Sequence, residues 1–203
     1  MKVILIWLIA YVLGSIPTGY WLGKIIKNVD IRKEGSGNIG ATNAMRILGW
    51  KIGAWVYPLD FLKGLIPVII AKNYYDQEWI IIITGIFAVA GHMYSLFIGF
   101  KGGKGVLTSA GVLTGMVPFS VLFAFIVFFL VFFKWRFISL SSIIASIFLP
   151  LFLTIEFFGK FLDKPGVLVL ILAYAIGTFI VVKHRTNIER LRKGTEPHFT
   201  IKH

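Results

Sequence analysis

The 203-residue chain is 57% hydrophobic and 15% charged, with 21 Lys and Arg against 9 Asp and Glu, a net charge of +12, and no cysteine. A soluble domain carries about 25% charged residues, so this composition excludes an ordinary water-facing surface and calls for lipid on the outside. The missing cysteines exclude disulfides, thiolate metal sites and a cysteine nucleophile, and the positive charge fits the Lys/Arg bias of cytoplasmic loops before it fits nucleic acid.

A helix that crosses a bilayer needs about 20 mostly apolar residues. The first candidate covers residues 3–22; no small-residue cleavage site follows it and its basic residues lie on the far side, which argues against a secretory leader. A polar segment over 24–48 comes next, then spans over 49–71 and 79–100 separated by a short turn with Lys72, Asn73, Asp76 and Glu78. After Lys101 and Lys104 an apolar run reaches Pro118; it is short, as a tilted or half-buried helix would be. A run dense in Phe and Val continues to Phe133, a sixth span covers 138–158, and a seventh ends near Val182. The fold class expected is therefore all-α, a polytopic helical membrane bundle of about seven spans, with residues 1–203 as one domain.

Alternate loops carry the basic residues: Lys24, Lys27, Arg32 and Lys33, then Lys101 and Lys104, then Lys134 and Arg136, and finally Lys183 onward. By the positive-inside rule these loops are cytoplasmic, which puts the N-terminus outside and the C-terminus in the cytoplasm. Three polar stretches then share the cytoplasmic face: G-S-G-N-I-G-A-T-N-A-M-R over 35–46, K-G-G-K-G over 101–105, and H-R-T-N-I-E-R-L-R-K-G-T-E over 184–196. Glycine allows positive φ and close approach to a ligand, and successive N–H groups in such turns form concave anion sites.

Within these stretches Lys104 is poorly placed at a helix start on dipole grounds unless it shares an anion with the helix N–H groups. Arg46 offers a planar fork suited to phosphate. His184 sits where the last span meets water, beside Arg185 and three residues before Asn187, as a catalytic or substrate-positioning group. Ser139, Ser141 and Ser142 read as helix caps, Ser142 least well because it lies a turn inside. Asp60 and Lys63 share a helix face inside a span, either as a mutually neutralising pair or as part of the polar site's frame. His92 reads as a packing residue, and His198 and His203 as exposed tail. No metal is expected, since there is no H-E-x-x-H, no His pair at ligand spacing and no carboxylate cluster.

Together, G-S-G-N-I-G-A-T-N, G-F-K-G-G-K-G-V over 99–106 and H-R-x-N-I-x-R-L-x-x-G-T-E resemble the three cytoplasmic motifs of the acyl-phosphate:glycerol-3-phosphate acyltransferases of bacterial membranes, the PlsY family. The resemblance covers the whole chain in length, motif order and spacing. It implies transfer of a fatty acyl group from acyl-phosphate to the sn-1 hydroxyl of glycerol 3-phosphate, giving lysophosphatidic acid and phosphate for phospholipid synthesis at the inner membrane. It implies a first site of Ser36, Asn38, Gly40, Thr42, Asn43 and Arg46, with Gly102, Gly103, Lys104 and Gly105 holding the donor phosphate and His184, Asn187 and Glu196 completing the centre. Ser142 is carried with the substrate-binding residues. Leu107 departs from the family, which more often has alanine there.

Residue chemistry agrees with this expectation. Two phosphate-bearing reactants need two anion sites, and two glycine-rich loops with separate cations supply them. A mixed anhydride has a good leaving group, so direct attack by the glycerol hydroxyl suffices, with Lys104, Arg46 and backbone N–H groups stabilising the developing charge. The proton goes either to His184 or to the donor's own phosphate, the second being favoured. No cofactor and no nucleic acid is expected; the partners are the two substrates, membrane lipid and, as a protein, the enzyme that produces acyl-phosphate. The alternative reading is a transporter of phosphorylated solutes, which would place broken helices and paired repeats at mid-membrane.

Overall fold

The computed structural model describes residues 2–159 and 161–199; Lys160 and His203 lie outside them. Among the described residues regular structure is helical throughout: α1 (Lys2–Ser15), α2 (Thr18–Lys27), α3 (Ala41–Leu48), α4 (Trp50–Gly53), α5 (Val56–Tyr74), α6 (Glu78–Met93), α7 (Val106–Met116), α8 (Pro118–Trp135), α9 (Ile138–Gly159), α10 (Val167–Lys183) and α11 (Arg185–Arg192), with a 3-10 turn at Leu96–Ile98. Among the described residues four segments are long and apolar enough to cross a membrane: Trp50–Tyr74, Glu78–Ile98, α8 and α9. The count reaches six if the bent pairs α1–α2 (45°) and α10–α11 (55°) each form one span. The remaining apolar helix, α7, has 11 residues; at about 1.5 Å per residue it covers roughly half of a hydrocarbon core about 30 Å thick.

The first expected span is thus not one straight helix. Pro17 has no N–H to continue the ladder and drives Ile16 away from helical geometry. The chain turns there, with the Thr18 amide donating to the Ile16 carbonyl at 3.0 Å.

The chain forms two compact units, divided at Val112 and Leu113 inside α7, where neither composition nor a linker marks a boundary. In the first unit α1 packs on α6, and α5 packs on both. A methyl group at Gly14 or Gly91 would strike the carbonyls of Ala88 or Tyr11, so small residues set how closely these backbones meet. Ile31, Ile39, Ala41, Ala44, Leu48, Val56 and Ile98 form a buried cluster against which Tyr57 and Leu107 pack. That cluster matters for the site, because it ties the loop before α3 to residues on both sides of K-G-G-K-G.

In the second unit α9 packs against both α8 and α10, and Phe123 stacks on Phe152 at 4.3 Å. Pro118 opens α8, where the lost N–H has no intrahelical use. The Asp163 carboxylate accepts from the Phe119 amide at 3.1 Å and from the Ser120 amide and hydroxyl at 2.6 Å each, which satisfies α8's orphan donors from another segment. Phe119, Leu122, Phe123, Ile126, Phe129 and Phe133 remain exposed along α8, an apolar stripe suited to lipid.

Candidate active site

The first polar stretch folds as a loop leading into α3. Gly35 has φ +60°, and any side chain there would strike the Asn43 carboxamide. Asn43 is 2% exposed and fully engaged: its Oδ1 accepts from the Ser36 amide at 2.9 Å, while its Nδ2 donates to the carbonyls of Ile31 and Glu34 at 2.9 and 3.1 Å. Asn43 therefore shapes the loop from inside. Asn38 Oδ1 accepts from the Gly40 amide at 2.8 Å, a local turn that starts α3. Thr42 lies beside the Tyr57 hydroxyl.

What the loop presents outward is Ser36, which is exposed, and Arg46 in the last turn of α3. Among the described residues Arg46 makes no ion pair, whereas Arg32 pairs with Asp30 at 2.8 Å and lies over the Tyr20 ring at 4.4 Å. The hydrogen-bonded Arg32 guanidinium holds the Asp30 carboxyl down at about 2.

The second stretch is folded back on α6. The Gly102 amide donates to the Met93 carbonyl at 2.9 Å and the Gly103 amide to the His92 carbonyl at 3.1 Å. A Cβ at Gly103 would strike the His92 ring. These two glycines thus allow close packing, with their N–H groups bonded to carbonyls of α6 and not open to an anion. The donors that remain suited to one are the first-turn N–H groups of α7, which have no intrahelical acceptor. They follow Gly105, whose φ of +79° turns the chain into the helix, and Lys104 immediately precedes that turn.

The third stretch lies in the second unit and forms the α10–α11 bend. His184 is 4% exposed and its Nδ1 is 2.8 Å from the Ile180 carbonyl. A carbonyl can only accept, so Nδ1 carries the proton and Nε2 is the basic atom of the neutral ring. Asn187 and Glu196 are buried together: Glu196 Oε1 accepts from Asn187 Nδ2 and from Ser139 Oγ, each at 2.7 Å, and Oε2 accepts from Arg190 Nε at 2.6 Å.

Burial pushes the Glu196 carboxyl up, but the bonds from Ser139, Arg190 and Asn187 outweigh it and hold the group below the usual carboxylate range. With both oxygens engaged, the Glu196 carboxylate ties α11 and the tail to the start of α9. Further along, the Phe199 amide donates to the Arg136 carbonyl at 2.9 Å and the exposed His198 stacks on Phe137 at 4.2 Å.

The serines of α9 do not cap it. Ser141 and Ser142 donate to the carbonyls of Phe137 and Ile138 at 2.8 and 2.9 Å, the back-bonding common for serine inside a helix. Ser142 would have to rotate to donate to a ligand. Ser139 reaches Glu196, 57 residues away, instead of capping α9, and Arg190, a fixed position of the third motif, reaches the same carboxylate from 6 residues away.

The candidate residues are therefore divided. One unit holds Ser36, Asn38, Gly40, Thr42, Asn43, Arg46 and Gly102 to Gly105 around one apolar cluster. The other holds Ser142, His184, Asn187 and Glu196.

This arrangement has relatives. A family model described as Glycerol-3-phosphate acyltransferase matches residues 4–194. The Glycerol-3-phosphate acyltransferase of Geotalea daltonii is 46% identical over 92% of this chain and 92% of its own length, and that of Aquifex aeolicus is 46% identical over 98% and 100%. Crystal structures of PlsY (YgiH), an integral membrane glycerol 3-phosphate acyltransferase, are similar in fold. Its glycerol 3-phosphate form has a TM-score of 0.90 at 44% identity, covering 98% of this chain and 96% of that one. Its lysophosphatidic acid form has a TM-score of 0.87 at 43% identity over the same shares. With the family model spanning nearly every helix described above and whole-length relatives well above the identity at which folds diverge, the chain belongs to the glycerol-3-phosphate acyltransferase family.

Proposed function

We propose that this protein transfers a fatty acyl group from acyl-phosphate to the sn-1 hydroxyl of glycerol 3-phosphate, at the cytoplasmic face of the bacterial inner membrane. The observation that carries this reading is that Ile98 and Leu107, which flank the second loop, pack into the apolar cluster under the first, so that two stretches each bearing a cation, Arg46 and Lys104, are tied to one core. Two anionic reactants need two such groups, and related structures hold a substrate with one phosphate and a product with one phosphate. The loop basic residues support an N-terminus outside and a cytoplasmic C-terminus.

In the reaction the glycerol oxygen bonds to the acyl carbon, the anhydride C–O bond breaks, and phosphate leaves with the electron pair. Lys104 and the α7 N–H groups neutralise the donor phosphate as charge builds on it; Arg46 and Ser36 hold the acceptor's phosphate. The hydroxyl proton passes to a non-bridging oxygen of the donor phosphate, so no protein base is required. The role assigned to His184 Nε2, which can only accept, is to take a hydrogen bond from the acceptor's other free hydroxyl and so orient the attacking one, while Glu196 holds the Asn187 carboxamide.

The test is direct. Purified protein in nanodiscs, given acyl-phosphate and glycerol 3-phosphate, is expected to release phosphate and form lysophosphatidic acid, while acyl-CoA or acyl carrier protein thioesters give neither. Equal turnover with a thioester would overturn the donor assignment. His184→Ala is expected to lower kcat by roughly 10²-fold with the pH profile unchanged in shape. A variant that still binds both substrates but has no turnover at any pH would make His184 the base instead.

A further inference from the structure

The mechanism leaves one buried polar cluster unused. Asp60, Lys63, Thr18, His92 and Thr108 are 2, 7, 7, 4 and 0% exposed, in the midst of apolar helices of the first unit. Asp60 Oδ1 accepts from Lys63 Nζ at 2.7 Å and from Thr18 Oγ1 at 3.0 Å. Lys63 Nζ also donates to the Ile16 carbonyl at 2.8 Å, an acceptor exposed by the break at Pro17. The Asp60 backbone carbonyl accepts from Thr108 Oγ1 at 3.0 Å, and Gly64, one turn on, lets the Thr108 backbone approach so closely that a methyl group would strike its carbonyl. His92 Nδ1 lies 3.9 Å from Asp60 Oδ1, and it is buried with no hydrogen-bond partner among the described residues. The opposite edge of the His92 ring lies against Gly103, and the His92 carbonyl holds the Gly103 amide.

A buried ion pair is poor evidence for stability, because well-packed apolar residues of similar size often serve equally well. Asp60, however, meets several segments at once, Thr18 and His92 beside its carboxylate and Thr108 at its backbone carbonyl, and His92 and Thr108 flank the K-G-G-K-G loop on either side. We propose that Asp60, with Lys63 as its counter-charge, is a positioning residue for that loop. Through His92 it fixes where Gly102 and Gly103 meet α6, and through Thr108 it fixes the start of α7, whose N–H groups and neighbouring Lys104 face the anion. The unpartnered Nδ1, beyond bonding range, shows that the ring is held between the carboxylate side and Gly103 by placement and packing, not by a bond of its own. Because the loop is read here as the donor phosphate site, the inference rests on the proposed function.

The experiment uses full-length protein in nanodiscs and two variants. Asp60→Asn/Lys63→Met removes the pair without stranding a buried charge, and His92→Gln removes the ring against Gly103. Two readouts separate the inference from the reading beneath it. The first, hydrogen exchange of the peptide over residues 99–105, needs no substrate: at least tenfold faster exchange of that peptide is expected in both variants, with α9 and α10 unchanged. The second is steady-state kinetics, where the KM for acyl-phosphate is expected to rise about tenfold while the KM for glycerol 3-phosphate stays within twofold; the triple variant should be no worse than the worse parent, as for groups acting as one unit. Wild-type exchange over 99–105 overturns the inference. So do equal changes in both KM values alongside general loosening of α5 and α6, the mark of a purely structural role. A loosened loop with an unchanged donor KM overturns instead the assignment of this loop to the donor. If the charge-pair variant does not fold, His92→Gln decides alone by the same criteria.

Discussion

Replacing Lys104 by methionine is expected to lower kcat/KM by about 10²- to 10³-fold, the range seen when one preorganised group is removed from a developing negative charge. The substitution keeps the length and apolar stem of the side chain and removes the ammonium. Lys104 lies just before the α7 start, between Gly103, which packs against His92, and Gly105, whose positive φ turns the chain into the helix. Lys104→Arg should recover part of the activity, since a guanidinium restores charge but not the compact ammonium geometry. Steady-state kinetics of the three proteins check this; a methionine variant within threefold of wild type would remove Lys104 from the reaction.

The second large effect is expected at Glu196. Glu196→Ala removes the carboxylate that accepts from Asn187 Nδ2 and the Ser139 hydroxyl, both buried, and releases Arg190. Losing such charge-assisted bonds costs roughly 3 kcal/mol, taken mainly from α11 and the tail. Asn187 then loses its orientation, so kcat should fall by about tenfold or more beyond any loss of folded protein, whereas Glu196→Gln, which keeps an acceptor, should be milder. The pH dependence follows from the sign of the shift. The folded-state pKa of Glu196 lies below its ordinary value of 4.5. The stabilisation is therefore present above 4.5 and is lost as pH falls through the lower folded value. Thermal unfolding of wild type and Glu196→Ala across pH 3 to 7 should show curves that differ at neutral pH and converge only in acid. A constant difference down to the lowest pH would mean that the carboxylate's charge plays no part.

Much of this protein could be read without coordinates. A run of apolar residues long enough to cross a bilayer states its own solvent, because in hydrocarbon every backbone group must bond within the segment; hence α5, α6, α8 and α9 fall where the sequence places them. The break at Pro17 was also legible in principle, since proline's missing N–H acts on its immediate neighbours. So was the candidate set itself: small, polar and basic residues clustered among apolar spans have no packing reason to be there.

What each of those residues does was decided only by the fold. Gly102 and Gly103 look like anion-binding amides in sequence, and the return of the loop onto α6 turns them into packing glycines. Glu196 stands in the tail of the third motif, and only the fold shows that Ser139 is brought to it from the start of α9. Asp60 looks like one half of a neutralising pair, and tertiary packing adds Thr18, His92 and Thr108 around it. Local sequence fixes which bonds a group is able to make and how its own helix turns; which partners take those bonds depends on segments tens of residues away, and their arrival is a property of packing alone.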